Sequence, residues 1–199
     1  MSRLRFGLIG CSNIALKHAE SLRRLDSAEL IAVCDLVEEL AKNLGEKYGA
    51  RFYTSYHDML KSEDLDVVTI LTPSGDHAER ILDVIQYRCH IVVEKPLALR
   101  LDEADAVIRA CDLAGIKLFV VKQNRMNRPI QALRRALEKG RLGRLLLGTV
   151  RIRWCRLQSY YDSAPWRGTW AWDGGVLMNQ ASHHIDMLEW MMGEVEPDV

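Results

Sequence analysis

The stretch Leu4-Arg5-Phe6-Gly7-Leu8-Ile9-Gly10-Cys11-Ser12-Asn13-Ile14-Ala15 decides the fold of this chain. Its first half is a short apolar run that suits a buried strand, and its second half opens a segment of helical period. The junction matches the pattern G-x-G-x-x-G/A. There the first glycine makes a tight turn, the second lets the backbone approach a pyrophosphate, and the last small residue allows close helix–strand packing. Gly10 and Ala15 meet the first and last requirements. Ser12 replaces the middle glycine and carries a hydroxyl that can donate to a phosphate. Behind the turn, the backbone N–H groups of Asn13 and Ile14 head a helix whose partial positive end suits an anion. The stretch points to a dinucleotide site on a strand–turn–helix unit.

The same alternation continues downstream. Apolar runs at Leu30–Cys34, Val67–Leu71, His90–Val93 and Lys117–Val121, with a shorter Phe52–Thr54, are separated by helical-period segments at roughly 13–25, 37–48, 56–61, 76–87 and 102–114. Ser55 followed by Asp58, and the acids Asp102 and Glu103, mark helix starts, and Gly49 and Gly115 mark helix ends. Strands alternating with helices imply βαβ units and a parallel sheet. The predicted class is α/β. A doubly wound Rossmann sheet spans residues 1–122, and the start of an α/β domain with an open sheet spans residues 123–199.

In the second part, Pro129 opens a helix that ends at Gly140. Residues Leu145–Arg156 alternate as a half-exposed strand, a Trp- and Gly-rich loop covers 159–175, and Val176–Met192 reads as a helix. One long strand cannot make a sheet by itself, so either further strands are missing or it pairs with another chain; the expectation is that the sequence is the N-terminal fragment of a longer protein.

Candidate site residues follow from this layout. Asp35 closes the second strand, where a carboxylate binds both ribose hydroxyls of NAD and repels a 2′-phosphate. Leu36 and Val37 follow with no arginine to welcome NADP, so NAD is the expected cofactor. Thr72 and Pro73 end the expected fourth strand, where ligands of such folds bind, and His77 three residues after Ser74 is either a surface or capping histidine or a cofactor contact. Lys95, after the run Ile91-Val92-Val93 and before Pro96, is placed to hydrogen-bond a substrate oxygen and stabilise developing charge. Asn179, His183 and Asp186, spaced by four and three, share one helical face, with His183 a candidate general base. His183 and Asp186 have no third ligand at metal spacing, so no metal is expected.

Formal net charge is zero, but residues 122–167 hold 12 Lys/Arg against 2 Asp/Glu. Such a segment suits an anionic partner, or is a solvated basic face. It matches no nucleic-acid-binding motif, so nucleic acid is not an expected partner. No apolar run reaches the roughly 18 residues that span a bilayer. With no signal-peptide pattern, the expected location is cytoplasmic, without a membrane partner. The five cysteines form no C-x-x-C pair and read as reduced, mostly buried residues.

Gly7-Leu8-Ile9-Gly10, Glu94-Lys95-Pro96, and Gly174-Gly175 leading into Asn179, His183 and Asp186 together resemble the Gfo/Idh/MocA family of nicotinamide-dependent sugar and cyclitol dehydrogenases. The resemblance covers essentially the whole chain and implies a dimer or tetramer of the longer protein. It implies that Lys95 and His183 are catalytic. It also places Glu94 and Gln123 with Gly10, Ser12, Asn13, Ile14, Asp35, Thr72, Pro73, His77 and Lys95 around NAD. Inositol-dehydrogenase-like members carry an aspartate where this chain has Asn179, which cannot act as a base. The burden then falls on His183 with Lys95.

Within the family, Lys122-Gln123-Asn124-Arg125, Tyr160-Tyr161-Asp162, Trp166-Arg167-Gly168-Thr169-Trp170 and Met178-Asn179-Gln180-Ala181-Ser182-His183 resemble one group in particular. That group oxidises the C3 hydroxyl of UDP-N-acetylglucosaminuronate in lipopolysaccharide sugar synthesis. The resemblance implies a nucleotide-sugar substrate contacted by Lys95, Asn124, Arg125, Tyr160, Trp166, Arg167, Asn179 and His183. Arg125 and Arg167 are the candidates for its anionic groups, and Trp166 and Trp170 for its sugar faces. The alternatives are a free sugar or cyclitol substrate, or a non-catalytic NAD-binding regulator.

Overall fold

The computed structural model describes residues 2–193, which fall into two compact units divided between Val120 and Val121. In the first unit every apolar run becomes a strand. These are β1 (Leu4–Ile9), β2 (Ala28–Cys34), β3 (Arg51–Tyr53), β4 (Val67–Ile70), β5 (His90–Val93) and β6 (Leu118–Val120). All pair in parallel, in the order β3-β2-β1-β4-β5-β6. Helices α1 (Asn13–Arg23), α2 (Glu38–Tyr48), α3 (Tyr56–Ser62), α4 (His77–Val84) and α5 (Leu101–Ala114) connect them.

The strands lack polar alternation because both sheet faces are covered. Successive side chains point to opposite faces, so Leu8 and Val33 join one core cluster with Ala15 and Leu44, while their neighbours Ile9 and Cys34 join the other with Ile70, Ile81 and Ile91. Each fully buried Leu, Ile or Val contributes about 1.5–3 kcal/mol.

Local signals hold at the helix ends. Ser55 Oγ accepts the Asp58 N–H at 3.2 Å, and Gly49 and Gly115 close their helices with left-handed φ of 71° and 68°. The segment expected as one helix over 76–87 divides instead. α4 is flanked by tighter turns at Ser74–Asp76 and Ile85–Tyr87, as helix ends commonly are.

The second unit contains α6 (Arg128–Glu138), α7 (Gln158–Asp162), α8 (Trp170–Asp173), a π turn at Leu177–Ala181 and α9 (Ser182–Met192). The strand expected over Leu145–Arg156 does not form, and no strand of this unit is paired among the described residues. An extended segment is held by ladder hydrogen bonds to a neighbour. Here Leu146 and Leu147 remain about four-fifths exposed (79% and 84%). Residues 194–199 of the second expected domain lie outside the described ones.

The chain runs from β1 outward to β3 and returns to β4 on the other side of β1, so the strand order reverses there. Connections leave β1 and β4 on opposite sides, which opens a crevice at their carboxyl ends. Gly10 sits at that point with φ 100°, and a Cβ on it would lie 2.8 Å from Leu71 O. Replacing Gly10 by alanine is expected to cost about 1–3 kcal/mol in backbone strain. Urea unfolding will show this as a lower midpoint with unchanged slope, and an unchanged midpoint would contradict the steric reading.

Candidate active site

The crevice is built first from the Gly10 turn. The Gly10 N–H donates to Cys34 O and the Leu71 N–H donates to Ile9 O, each at 2.8 Å, so the turn is locked between β2 and the end of β4. Ser12 is the N-cap of α1 with φ −74° and ψ −171°. That is ordinary extended backbone, so the position does not require glycine for its conformation. The Ser12 hydroxyl makes no capping bond, and the first turn of α1 carries no acid. The leading N–H groups, including those of Asn13 and Ile14, therefore face no competing carboxylate from their own helix.

Asp35 Oδ2 accepts the Cys11 N–H at 2.7 Å, and Oδ1 accepts the Val37 N–H at 2.9 Å. The carboxylate thus ties the turn to the end of β2 while Leu36 projects 90% exposed beside it. Thr72 Oγ1, at the end of β4, is buried with no hydrogen-bond partner among the described residues. An open helix N-terminus, a close-approach glycine, an acid at the end of β2 and an orphan hydroxyl fit a dinucleotide with free ribose hydroxyls. The thiols nearby are inert. Burial, followed by the charge of Asp35, pushes Cys11 and Cys34 up to about 12.

At the end of β5, the Glu94 N–H donates to Ile70 O at 3.0 Å and continues the sheet up to Lys95, which is half-buried. Glu94 Oε1 lies 2.9 Å from His18 Nε2, and Oε2 accepts the Lys95 N–H at 3.2 Å. Burial alone would raise the Glu94 carboxyl. The hydrogen bond and charge of His18, with the N–H and charge of Lys95, outweigh it and hold the group below its usual range. Glu94, named above as a cofactor contact, is thus engaged with His18 and the Lys95 backbone. His18 was missed by sequence reasoning, since nothing local marks a partner 76 residues away.

His77 requires a correction. It is not a surface residue, and both ring nitrogens are taken up inside the protein: it is 1% exposed, with Nδ1 2.6 Å from Pro96 O and Nε2 2.9 Å from Thr72 O. Burial holds it below the ordinary histidine value, against the two carbonyls, Glu94 and Asp76, which pull it up.

In the second unit, the turn Gln123–Met126 gathers three expected residues. The Gln123 Nε2 amide lies 3.1 Å from His183 Nε2. An amide N–H can only donate, so the imidazole nitrogen there is the acceptor. Arg125 makes a bidentate pair with Asp186 at 2.8 and 2.7 Å and lies over the Trp190 ring, and Lys122 Nζ is 3.4 Å from the same carboxylate. Arg125, expected to bind a substrate anion, therefore already has its anion. Burial would raise Asp186, but Arg125 and Lys122 outweigh it and hold it low. Asn124 is half-buried in the same turn.

Asn179 precedes His183 and Asp186 in the π turn Leu177–Ala181, which runs directly into α9. It is buried, and its amide donates to Asp173 Oδ1. Asp173 was also missed. Only 4% exposed, it accepts the Gly168 N–H at 2.7 Å as well and so folds the Trp-rich loop around itself.

Arg167 Nη1 donates to Tyr160 Oη at 2.6 Å, and its guanidinium lies over the Tyr160 and Trp166 rings at 4.4 and 4.6 Å. Arg156, missed earlier because it sat in the expected strand, lies over Tyr160 at 4.5 Å and over Trp154 at 3.8 Å, and donates to Gln180. Among the described residues neither arginine is in an ion pair, and Arg167 Nε is buried without a partner. Trp170 is 84% exposed.

Residues 4–122 match the family described as "Oxidoreductase family, NAD-binding Rossmann fold", and residues 130–197 match the GFO/IDH/MocA C-terminal domain. The chain belongs to the Gfo/Idh/MocA oxidoreductase family. Its first unit is that family's NAD-binding domain, in keeping with the fit of the Gly10 turn and Asp35. Among solved structures, the WlbA dehydrogenases of Chromobacterium violaceum and Bordetella pertussis, each in complex with NADH and UDP-GlcNAcA, are similar at 44% identity and a TM-score of 0.95. The match covers 98% of this chain and 57% and 59% of theirs. Myo-inositol 2-dehydrogenase of Thermotoga maritima is 28% identical over 98% of this chain and 57% of its own length. The chain thus spans a little more than half the length of these relatives. Among the described residues no helix is long and apolar enough to cross a membrane.

Two predictions follow for this member of the family. Asp35→Asn keeps an oxygen for the Cys11 or Val37 N–H and removes the charge that opposes a 2′-phosphate. Titration by nucleotide fluorescence is expected to show NADP binding strengthened relative to NAD by about tenfold or more, and an unchanged ratio would remove Asp35 from cofactor selection. His77, buried with its value lowered, takes up fewer protons folded than unfolded. Its share of stability is complete above about pH 6.5 and falls as pH drops through the lowered value. Denaturant midpoints between about pH 7 and 5 should therefore fall less steeply in His77→Asn than in the wild type. Equal slopes would show that His77 does not couple to folding in this range.

Proposed function

We propose that the enzyme carrying this chain oxidises the C3 hydroxyl of UDP-N-acetylglucosaminuronate, with NAD as the oxidant, as a homo-oligomer. The observation that carries the substrate class is the Arg156–Tyr160–Arg167 stack. Two guanidinium groups share one aromatic ring with no carboxylate paired to either among the described residues. Stacking orients a guanidinium, and its free edge suits a carboxylate or diphosphate in two-pronged fashion. The likeness to two structures solved with UDP-GlcNAcA supports the same choice.

NAD supplies the acceptor for the hydride on the carbinol carbon. Gly10, Ser12, Asn13 and Ile14 hold its pyrophosphate, Asp35 its adenosine ribose, and Thr72 and Pro73 line its groove. His183 takes the hydroxyl proton at Nε2, whose lone pair Gln123 occupies here and releases when the hydroxyl takes its place. Lys95 is the proposed donor to a substrate oxygen, stabilising the charge on it as a ketone forms. Asn179 shapes the loop through Asp173 rather than serving as a base. The 28% likeness to a myo-inositol 2-dehydrogenase favours a cyclitol as the second reading.

The test is turnover by the complete gene product with NAD, following NADH and a 3-keto product. Lys95→Met and His183→Ala are each expected to lower kcat by about a hundredfold or more. Arg167→Met should raise KM for the UDP-uronate by about tenfold or more, with NAD affinity kept. Faster turnover of myo-inositol or an uncharged hexose would overturn the substrate. Binding of NAD with no turnover of any of these would favour a regulator.

A further inference from the structure

Lys95 is held by its backbone from both sides. On its amino side the Lys95 N–H donates to Glu94 Oε2, and Glu94 is anchored in turn on His18 of α1. On its carboxyl side the next carbonyl, Pro96 O, lies 2.6 Å from His77 Nδ1. His77 stands at the start of α4, and its other nitrogen reaches Thr72 O, at the end of β4, at 2.9 Å. One buried ring thus spans the two strand-end loops that flank the crevice. A neutral imidazole carries one N–H for these two carbonyls, and the shorter contact is the one to Pro96.

We propose that His77 is a positioning residue for the reaction: its Nδ1–H clamps the Pro96 carbonyl and so fixes the backbone from which Lys95 reaches the substrate. The clamp rests on the catalytic reading of Lys95 given above. Two amide substitutions separate its halves. An asparagine nitrogen falls near the place of Nδ1 and keeps the bond to Pro96. A glutamine nitrogen falls near the place of Nε2, facing Thr72 O, and leaves the Pro96 carbonyl without its donor.

In the complete enzyme, His77→Gln is expected to lower kcat about ten- to a hundredfold, the scale set by small misplacements of reacting groups. KM and NAD affinity should stay within about twofold, as a loss confined to the transition state requires. His77→Asn should keep kcat within about threefold of wild type. Equal loss in both variants, accompanied by equal falls in melting temperature, would show a merely structural histidine and overturn the clamp. Wild-type turnover in His77→Gln would overturn it as well. Nitrogen NMR of the histidine-labelled wild type needs no variant to fold: the clamp requires a protonated Nδ1 and a bare Nε2 at pH 7, and the opposite tautomer refutes it. Lys95→Met separates the two readings. If that variant turns over normally, the catalytic role of Lys95 fails, and the tautomer alone decides whether His77 holds Pro96.

Discussion

The close approach of the Gly10 turn to the end of β4 is the constraint on which the first unit depends. Backbone meets backbone there, with no room for a Cβ between Gly10 and Leu71 O. Because the strand order reverses between β1 and β4, this contact also forms the floor of the crevice. The Cys11 N–H bonded to Asp35 and the open N-terminus of α1 both hang from it. A single glycine therefore joins the sheet's packing to the cofactor's place.

In each unit the polar groups are spent in distinct ways. Some are used up inside the protein. Arg125 neutralises Asp186, Asn179 and Gly168 satisfy Asp173, and Glu94 accepts from the Lys95 N–H beside His18. These bonds shape loops and leave little capacity for a ligand. Others are oriented but not neutralised. Arg156 and Arg167 rest on aromatic rings, which fix a guanidinium in place without cancelling its charge. The basic segment that stood out in the sequence thus contains both kinds of arginine, and only the second kind suits an anionic substrate.

Much of this was legible before the structure. The strand β1, the glycine turn, the parallel sheet and the helix ends at Ser55, Gly49 and Gly115 follow from local chemistry. A buried strand needs apolar side chains on both faces, this tight turn needs glycine, and a side-chain acceptor such as Ser55 favours a helix start. The Leu145–Arg156 strand was misread for a related reason. Alternation records two unlike faces, but a strand also needs a partner for its backbone, which alternation does not encode.

The sequence by itself determined the fold class and the cofactor turn, because each depends on neighbours within a few residues. Only the tertiary structure decided how the charges and histidines are used. Arg125 meets Asp186 across 61 positions, His18 meets Glu94 across 76, and His77 is sealed between two loop carbonyls. A hydrogen bond is a condition on distance in space, and the folded chain sets that distance independently of separation along it.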